Sequence, residues 1–215
     1  SGVMIAACPS SVTVSCGGVA QLVQSLVDNG ARHHGHSALG GKRGMHNRTT
    51  RMLSRGLPMN NVLGTRHSDD VMRIVHSLPR PGRELPDRTI ARSWMRCAND
   101  YRLDPARPDA PNIIDTRALA DRREQYAELV RIGTAEIDRL YDQISGSGYA
   151  LLLTDASGVI LYEKVDPALR DVFRSAGLVP GADWSEKSRG TNGMGTCLAE
   201  RKPVTVHRND HFYTH

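Results

Sequence analysis

The stretch that most constrains this chain is Ser188 to His207, SRGTNGMGTCLAERKPVTVH. Gly190, Gly193 and Gly195, with the polar Thr191 and Asn192, stand directly ahead of a short apolar run, Cys197-Leu198-Ala199, and a β-branched run, Val204-Thr205-Val206. Glycine opens backbone geometry closed to other residues, and Asn or Thr ahead of a helix caps its free N–H groups. The order therefore predicts a tight loop, a short helix and a strand. A glycine-rich loop that opens a helix is either a packed turn or a cradle for an anion. Its spacing matches neither a dinucleotide fingerprint nor a phosphate loop, which favours the packed turn.

Upstream, the periodicity divides the chain. Val71, Ile74, Val75 and Leu78 fall at helical spacing before Pro79, Pro81 and Pro86 break it. Asp87 then caps a second helix, on which Ile90, Trp94, Cys97, Ala98 and Tyr101 make one apolar stripe ending before Pro105. Trp94 reads as a core anchor, and Arg92, Arg96 and Arg102 as a solvated face. From Thr116 to Ile144, Tyr126, Val130, Gly133, Ile137, Leu140 and Ile144 recur at alternating spacings of four and three. Such a heptad seam pairs two chains or docks one long helix on its own domain, and dimerisation is the preferred expectation. Tyr149 to Thr154 and Val159 to Tyr162 predict two antiparallel strands joined by Asp155-Ala156-Ser157-Gly158. Pro167 to Ala176 predicts a short helix with Leu169, Val172 and Phe173 inward, followed by Trp184 in a loop. That loop tryptophan either walls a ligand pocket or plugs the end of a sheet.

Charge and cysteine usage narrow the function classes. The formal net charge of +5 resides in residues 1–60, where Arg32, Lys42, Arg43, Arg48, Arg51 and Arg55 face only Asp28. The remainder is neutral and offers no electrostatic footprint for DNA. Cys8, Cys16, Cys97 and Cys197 form no C-x-x-C pair, so neither a zinc site nor a disulfide framework is indicated and reduced thiols in a cytoplasm fit. No apolar run approaches the roughly 20 residues of a bilayer span. Residues 1–58 mix Gly and Ser with His33, His34 and His36 around one apolar patch, Val19 to Val27, and read as a mostly flexible extension. The histidine cluster is assigned no role. His207, Asp210, His211 and His215 share a segment that reads as strand and terminus, a poor metal cage, so no metal and no cofactor is expected. Cys197 lies near a helix start, which favours a thiolate, but no His or second Cys is tied to it by a motif. No catalytic residue is assigned, and the expectation is that the chain is not an enzyme.

The phrase E-x-x-x-GTNGMGTCLAE-x-x-PVTVH resembles the small-molecule sensor (GAF) domain at the front of sigma-54-dependent activators of the acetoin catabolism regulator type. ARSWMRCANDYRLDP at 91–105, the helix beginning at Thr116, GYALLLTDASGVIL at 148–161 and AGLVPGADWSE at 176–186 are similar to the same family in the same order. The likeness covers roughly Ser68 to His215 and not the first 58 residues. It suggests Met59 as a natural start, with upstream translation or a cloning remnant before it. The resemblance implies an α/β (α+β) architecture: a helical N-terminal unit at 59–115, a long connecting or dimerisation helix at 116–147, and a GAF-like antiparallel sheet with flanking helices at 148–215, truncated before its last strands. It implies a bacterial transcriptional regulator in which a small-molecule effector, acetoin-like by family name, acts through the linked helices. Trp184, Thr191, Asn192, Met194 and Cys197 are the candidate ligand-binding residues. A homodimer through 116–144 and contact with sigma-54 RNA polymerase and DNA, the latter through ATPase and helix-turn-helix domains not found here, complete the expected partners. No membrane partner is expected. The alternative is a ligand-free interaction module that modulates an intact homologue.

Overall fold

The computed structural model describes residues 3–8, 11–15, 59–77, 86–146 and 148–213, with 3–8, 11–15 and 59–65 as backbone only. Its elements are β1 (Val3–Cys8), β2 (Ser11–Ser15), α1 (Met59–Val75), α2 (Arg88–Met95), α3 (Thr116–Gln125), α4 (Ala127–Ile144), β3 (Ala150–Thr154), β4 (Ile160–Lys164), α5 (Arg170–Ser175), α6 (Glu186–Arg189), α7 (Gly193–Glu200) and β5 (Val204–His207). The fold is α+β, an antiparallel sheet with helices on both faces.

The sheet runs β4-β3-β1-β2-β5, every pairing antiparallel. The β3–β4 hairpin follows its turn chemistry. The Asp155 side chain accepts from Ser157 N at 2.8 Å and Val159 N at 3.0 Å, folding the turn around a buried carboxylate. A register shift after Leu153↔Tyr162 makes Thr154 face Ile160. One extra residue in a strand exchanges its two faces. Ile160 thus joins one side of the sheet while Tyr162, two residues on, joins the other.

The centre of the sheet differs most from expectation. β1 and β2 fill the two places between β3 and β5, with Met4↔Leu153 on one side and Val12↔Val206 on the other. These strands lie within the stretch expected to be a flexible extension, and they stand where the sheet was expected to lack strands. The histidines at 33, 34 and 36 and the apolar patch at 19–27 lie outside the described residues.

Each face of the sheet has its own helices. On one face Ile137 and Leu140 of α4 pack with Leu151 and Leu153. A Cβ at Gly133 would fall 2.7 Å from a Leu153 methyl, so the glycine sets how closely α4 approaches β3. The heptad positions Gly133, Ile137 and Leu140 are buried against the sheet of this chain. The helix is also not continuous, because Tyr126 leaves helical geometry (φ −107, ψ 28) between α3 and α4. α3 buries no residue and is held by polar bonds, Arg122 to Asp155 and Arg123 Nε to Leu161 O at 2.8 Å. On the other face Val71, Val75, Ile90, Trp94 and Cys97 share a core with Ala150, Leu152, Ile160, Met194, Val204 and Val206. The helices of 59–115 thus pack into the same core as the sheet. Val172, expected inward, is 51% exposed, because only Phe173 of α5 turns into the core. Among the described residues no helix is long and apolar enough to cross a membrane.

Candidate functional site

The Gly-rich stretch folds as α6, a turn at Gly190–Asn192, α7 and then β5. Asn192 is the N-cap of α7. Its Oδ1 accepts from Gly195 N at 2.9 Å, and its Nδ2 donates to Trp184 O at 3.0 Å and Gly190 O at 2.8 Å. One side chain thus closes the turn and ties it to the loop ahead, the capping role its sequence position implied. Gly195 has a second constraint. A Cβ there would lie 2.8 Å from the Ser185 carbonyl carbon and the Trp184 carbonyl oxygen, and closer still to the Glu186 amide nitrogen. These are backbone atoms that cannot rotate away. Gly195→Ala should therefore destabilise the chain by about 3 kcal/mol, read as a lower urea midpoint with an unchanged slope.

Facing this turn is α2. Asp87 caps it by accepting from Thr89 N at 2.7 Å, and Ile90, Trp94 and Cys97 bury the predicted stripe. Its last turn widens into a π-helix, Arg96–Asp100, where Tyr101 N donates to Arg96 O at 3.0 Å. Ser93 and Arg96, three residues apart, point at the same neighbours.

Those neighbours are the two glutamates that bracket the motif. Arg96 donates to Glu186 through Nε and Nη2, both at 2.9 Å, and to Glu200 through Nη1 at 2.6 Å. Arg92 bonds the second Glu200 oxygen. Hydrogen bonding to Glu186 holds the Arg96 guanidinium well above its ordinary pKa, against the opposing effect of burial. Ser93 Oγ donates to Glu186 Oε1 at 2.5 Å. A hydroxyl has one proton, so the Ser93 contacts with Thr191 Oγ1 at 2.6 Å and Thr196 Oγ1 at 3.2 Å are donated by the threonines. Thr191 Oγ1 in turn has the Cys97 thiol at 3.7 Å as its donor. Every hydrogen of this chain points toward the Glu186 carboxylate. Burial, and then the Glu186 charge, push the Cys97 thiol up to about 12, which leaves it protonated to donate.

The five candidate ligand-binding residues are brought together here, all of them buried. Trp184 Nε1 donates to Gly177 O at 2.9 Å, and the Arg189 guanidinium lies 5.3 Å from its ring centre. Thr191 spends its proton on Ser93, and Asn192 spends both amide hydrogens on carbonyls. Met194 is in the core. Cys197 is disulfide-bonded, so the expectation of reduced thiols fails at this position. A disulfide joins cysteines that the fold brings within reach whatever their spacing in sequence, so the lack of a C-x-x-C pair carried no information about it. The sequence reading missed Ser93, Glu186 and Glu200, and it placed Arg96 on a solvated face. Arg92 and Arg96, one turn apart, and the acidic residue at each end of the motif were the available signal.

Among the described residues no group of three or more His, Cys, Asp or Glu side chains is placed to hold a metal ion. Asp210 Oδ2 accepts from His207 N at 3.1 Å and His211 Nδ1 lies 3.2 Å from Arg208 O, local contacts that cap a turn.

The chain is 41% identical over 127 residues, 59% of its length, to the acetoin catabolism regulatory protein of Cupriavidus necator. It is 32% identical over 126 residues to a signal-transduction and transcriptional-control protein of Clostridium beijerinckii. It is 26% identical over 123 residues to the acetoin dehydrogenase operon transcriptional activator AcoR of Bacillus subtilis. The matched part spans about a fifth of each relative, 19% of the first two and 20% of the third. No protein-family model and no solved structure matches the chain. Over the matched stretch, the likeness is to proteins named as transcriptional regulators. Within it the likeness is to the acetoin-type regulators, as the motifs implied.

Proposed function

We propose that this chain is the signal-receiving, N-terminal region of a bacterial sigma-54-dependent transcriptional regulator, with a GAF-type sensor domain that takes a small metabolite. On this reading the protein works in the cytoplasm and the effector is an acetoin-like hydroxy-carbonyl compound. It acts at the turn formed by Trp184, Thr191, Asn192, Met194 and Cys197. The observation that carries the proposal is the saturation of this turn: the Thr191 hydroxyl and the Asn192 amide are already bonded internally. A carbonyl or hydroxyl ligand must compete for those groups, so binding and rearrangement are one event. A ligand shifts a conformational equilibrium only by its differential affinity for the two states. Relay then proceeds through helices toward the ATPase and DNA-binding domains of a longer protein.

A second reading has support from the same observation. A turn whose Thr191 and Asn192 side chains are already bonded internally, with Cys197 in a disulfide, also suits a ligand-free interaction module. Thermal melting of the full chain with acetoin, diacetyl and 2,3-butanediol separates the two. The sensor reading expects a saturable rise, worth about 2.7 kcal/mol at a hundredfold excess over Kd. A melt unmoved by all three compounds but raised by a homologous regulator would favour the interaction module.

A further inference from the structure

The motif and the helices around it are not coupled equally. Segment 186–200 is bonded to α2 at three points: Arg96 to Glu186 and Glu200, Arg92 to Glu200, and Ser93 to Glu186, Thr191 and Thr196. The flanks of the motif reach the same helix. Lys202 Nζ donates to Thr89 Oγ1 at 2.7 Å, and Trp94 Nε1 donates to Asp210 O at 2.9 Å. α1 continues the contact, with His67 edge-on to the Trp94 ring and its Nε2 2.9 Å from His211 O. α4 packs on the opposite face of the sheet, its Ile137 and Leu140 among Leu151 and Leu153.

We propose that a change at the Gly190–Gly195 turn is passed to the α1–α2 pair rather than to α4, with Arg96 as the positioning residue that couples them. The nature of the stimulus rests on the sensor reading above; the route rests on the bonds alone. Arg96 suits this role because its fork holds both ends of the motif at once: α6 through Glu186 and the end of α7 through Glu200. A displacement of either glutamate moves the guanidinium, and with it the π-turn of α2. A planar fork transmits orientation in a way that a point charge does not.

Hydrogen exchange on the full chain tests the route. The double variant Arg96→Met/Glu186→Gln removes both charges of the pair and so leaves no buried charge unpaired, while Arg96→Lys keeps the charge and loses the fork. In both variants the amides of 88–100 and 193–200 should exchange faster, by about tenfold in the double variant, with 133–144 unchanged. With acetoin as probe, wild type should gain protection in both segments, and the double variant only in 193–200. Faster exchange in 133–144 to the same degree, or no change in 88–100, would overturn the route. If acetoin protects no segment of wild type, the effector reading falls, and the two variants alone decide the coupling.

Discussion

A chain beginning at Met59 is expected to show no cooperative unfolding transition, while the full chain melts as a unit. The reason lies in the strand order. β1 and β2 occupy the middle of the sheet, and β1 is hydrogen-bonded along both edges, from Met4↔Ser15 to Cys8↔Ser11 on one side and from Val3↔Thr154 to Ala7↔Ala150 on the other. Without them β3 and β5 stand three inter-strand spacings apart, about 14 Å, with unpaired N–H and C=O groups facing the gap. α7, which packs on β1, β2 and β5, would keep only β5 beneath it. Because the candidate site depends on α7, its loss should follow. Circular dichroism against temperature would show a broad, sloping curve for the shortened chain. A sharp transition at the temperature of the full chain would mean that the hairpin is dispensable.

The second large effect is expected at Arg96. Replacing it with Met leaves Glu186, whose side chain is 2% exposed, with Ser93 as its remaining donor. Breaking a buried ion pair from one side strands a charge that has lost its solvent, at a cost of about 3 to 5 kcal/mol. For a chain of this size that corresponds to a melting temperature lowered by roughly 10 °C. Arg92 offers the contrast. It is more than half exposed and shares Glu200 with Arg96, so Arg92→Met should cost no more than about 1 kcal/mol, the usual worth of an exposed pair. Urea denaturation of the two variants side by side ranks them. Equal losses would show that burial does not set the value of these bonds.

What the sequence revealed was local. The Asn192 cap, the α2 stripe from Ile90 to Cys97, the Asp155 turn and the β5 run all follow from spacing within a single element, and the structure contains each of them. What it concealed was partnership. Arg96 and Glu186 are 90 residues apart and Arg96 and Glu200 are 104 apart, so no periodicity links them. The heptad seam carries the same spacing whether it meets a second helix or a sheet, and nothing in that spacing shows that Gly133 lies against Leu153 of the sheet. The short segments Val3–Cys8 and Ser11–Ser15 become central strands only because β3 and β5 present edges to them, a non-local pairing. At the candidate site, the turn and its Asn192 cap were legible in the sequence, whereas the network that fixes them to α2 was not.

The motif is locked to α2 through the Arg96–Glu186 pair, and a double-mutant cycle measures that lock most directly. Unfolding free energies from urea would be taken for wild type, Arg96→Met, Glu186→Gln and the double variant. The expected coupling energy is about 3 kcal/mol, with the double variant more stable than Arg96→Met alone. Additivity to within about 0.5 kcal/mol would contradict it, since two residues that do not depend on each other cannot hold the motif in place.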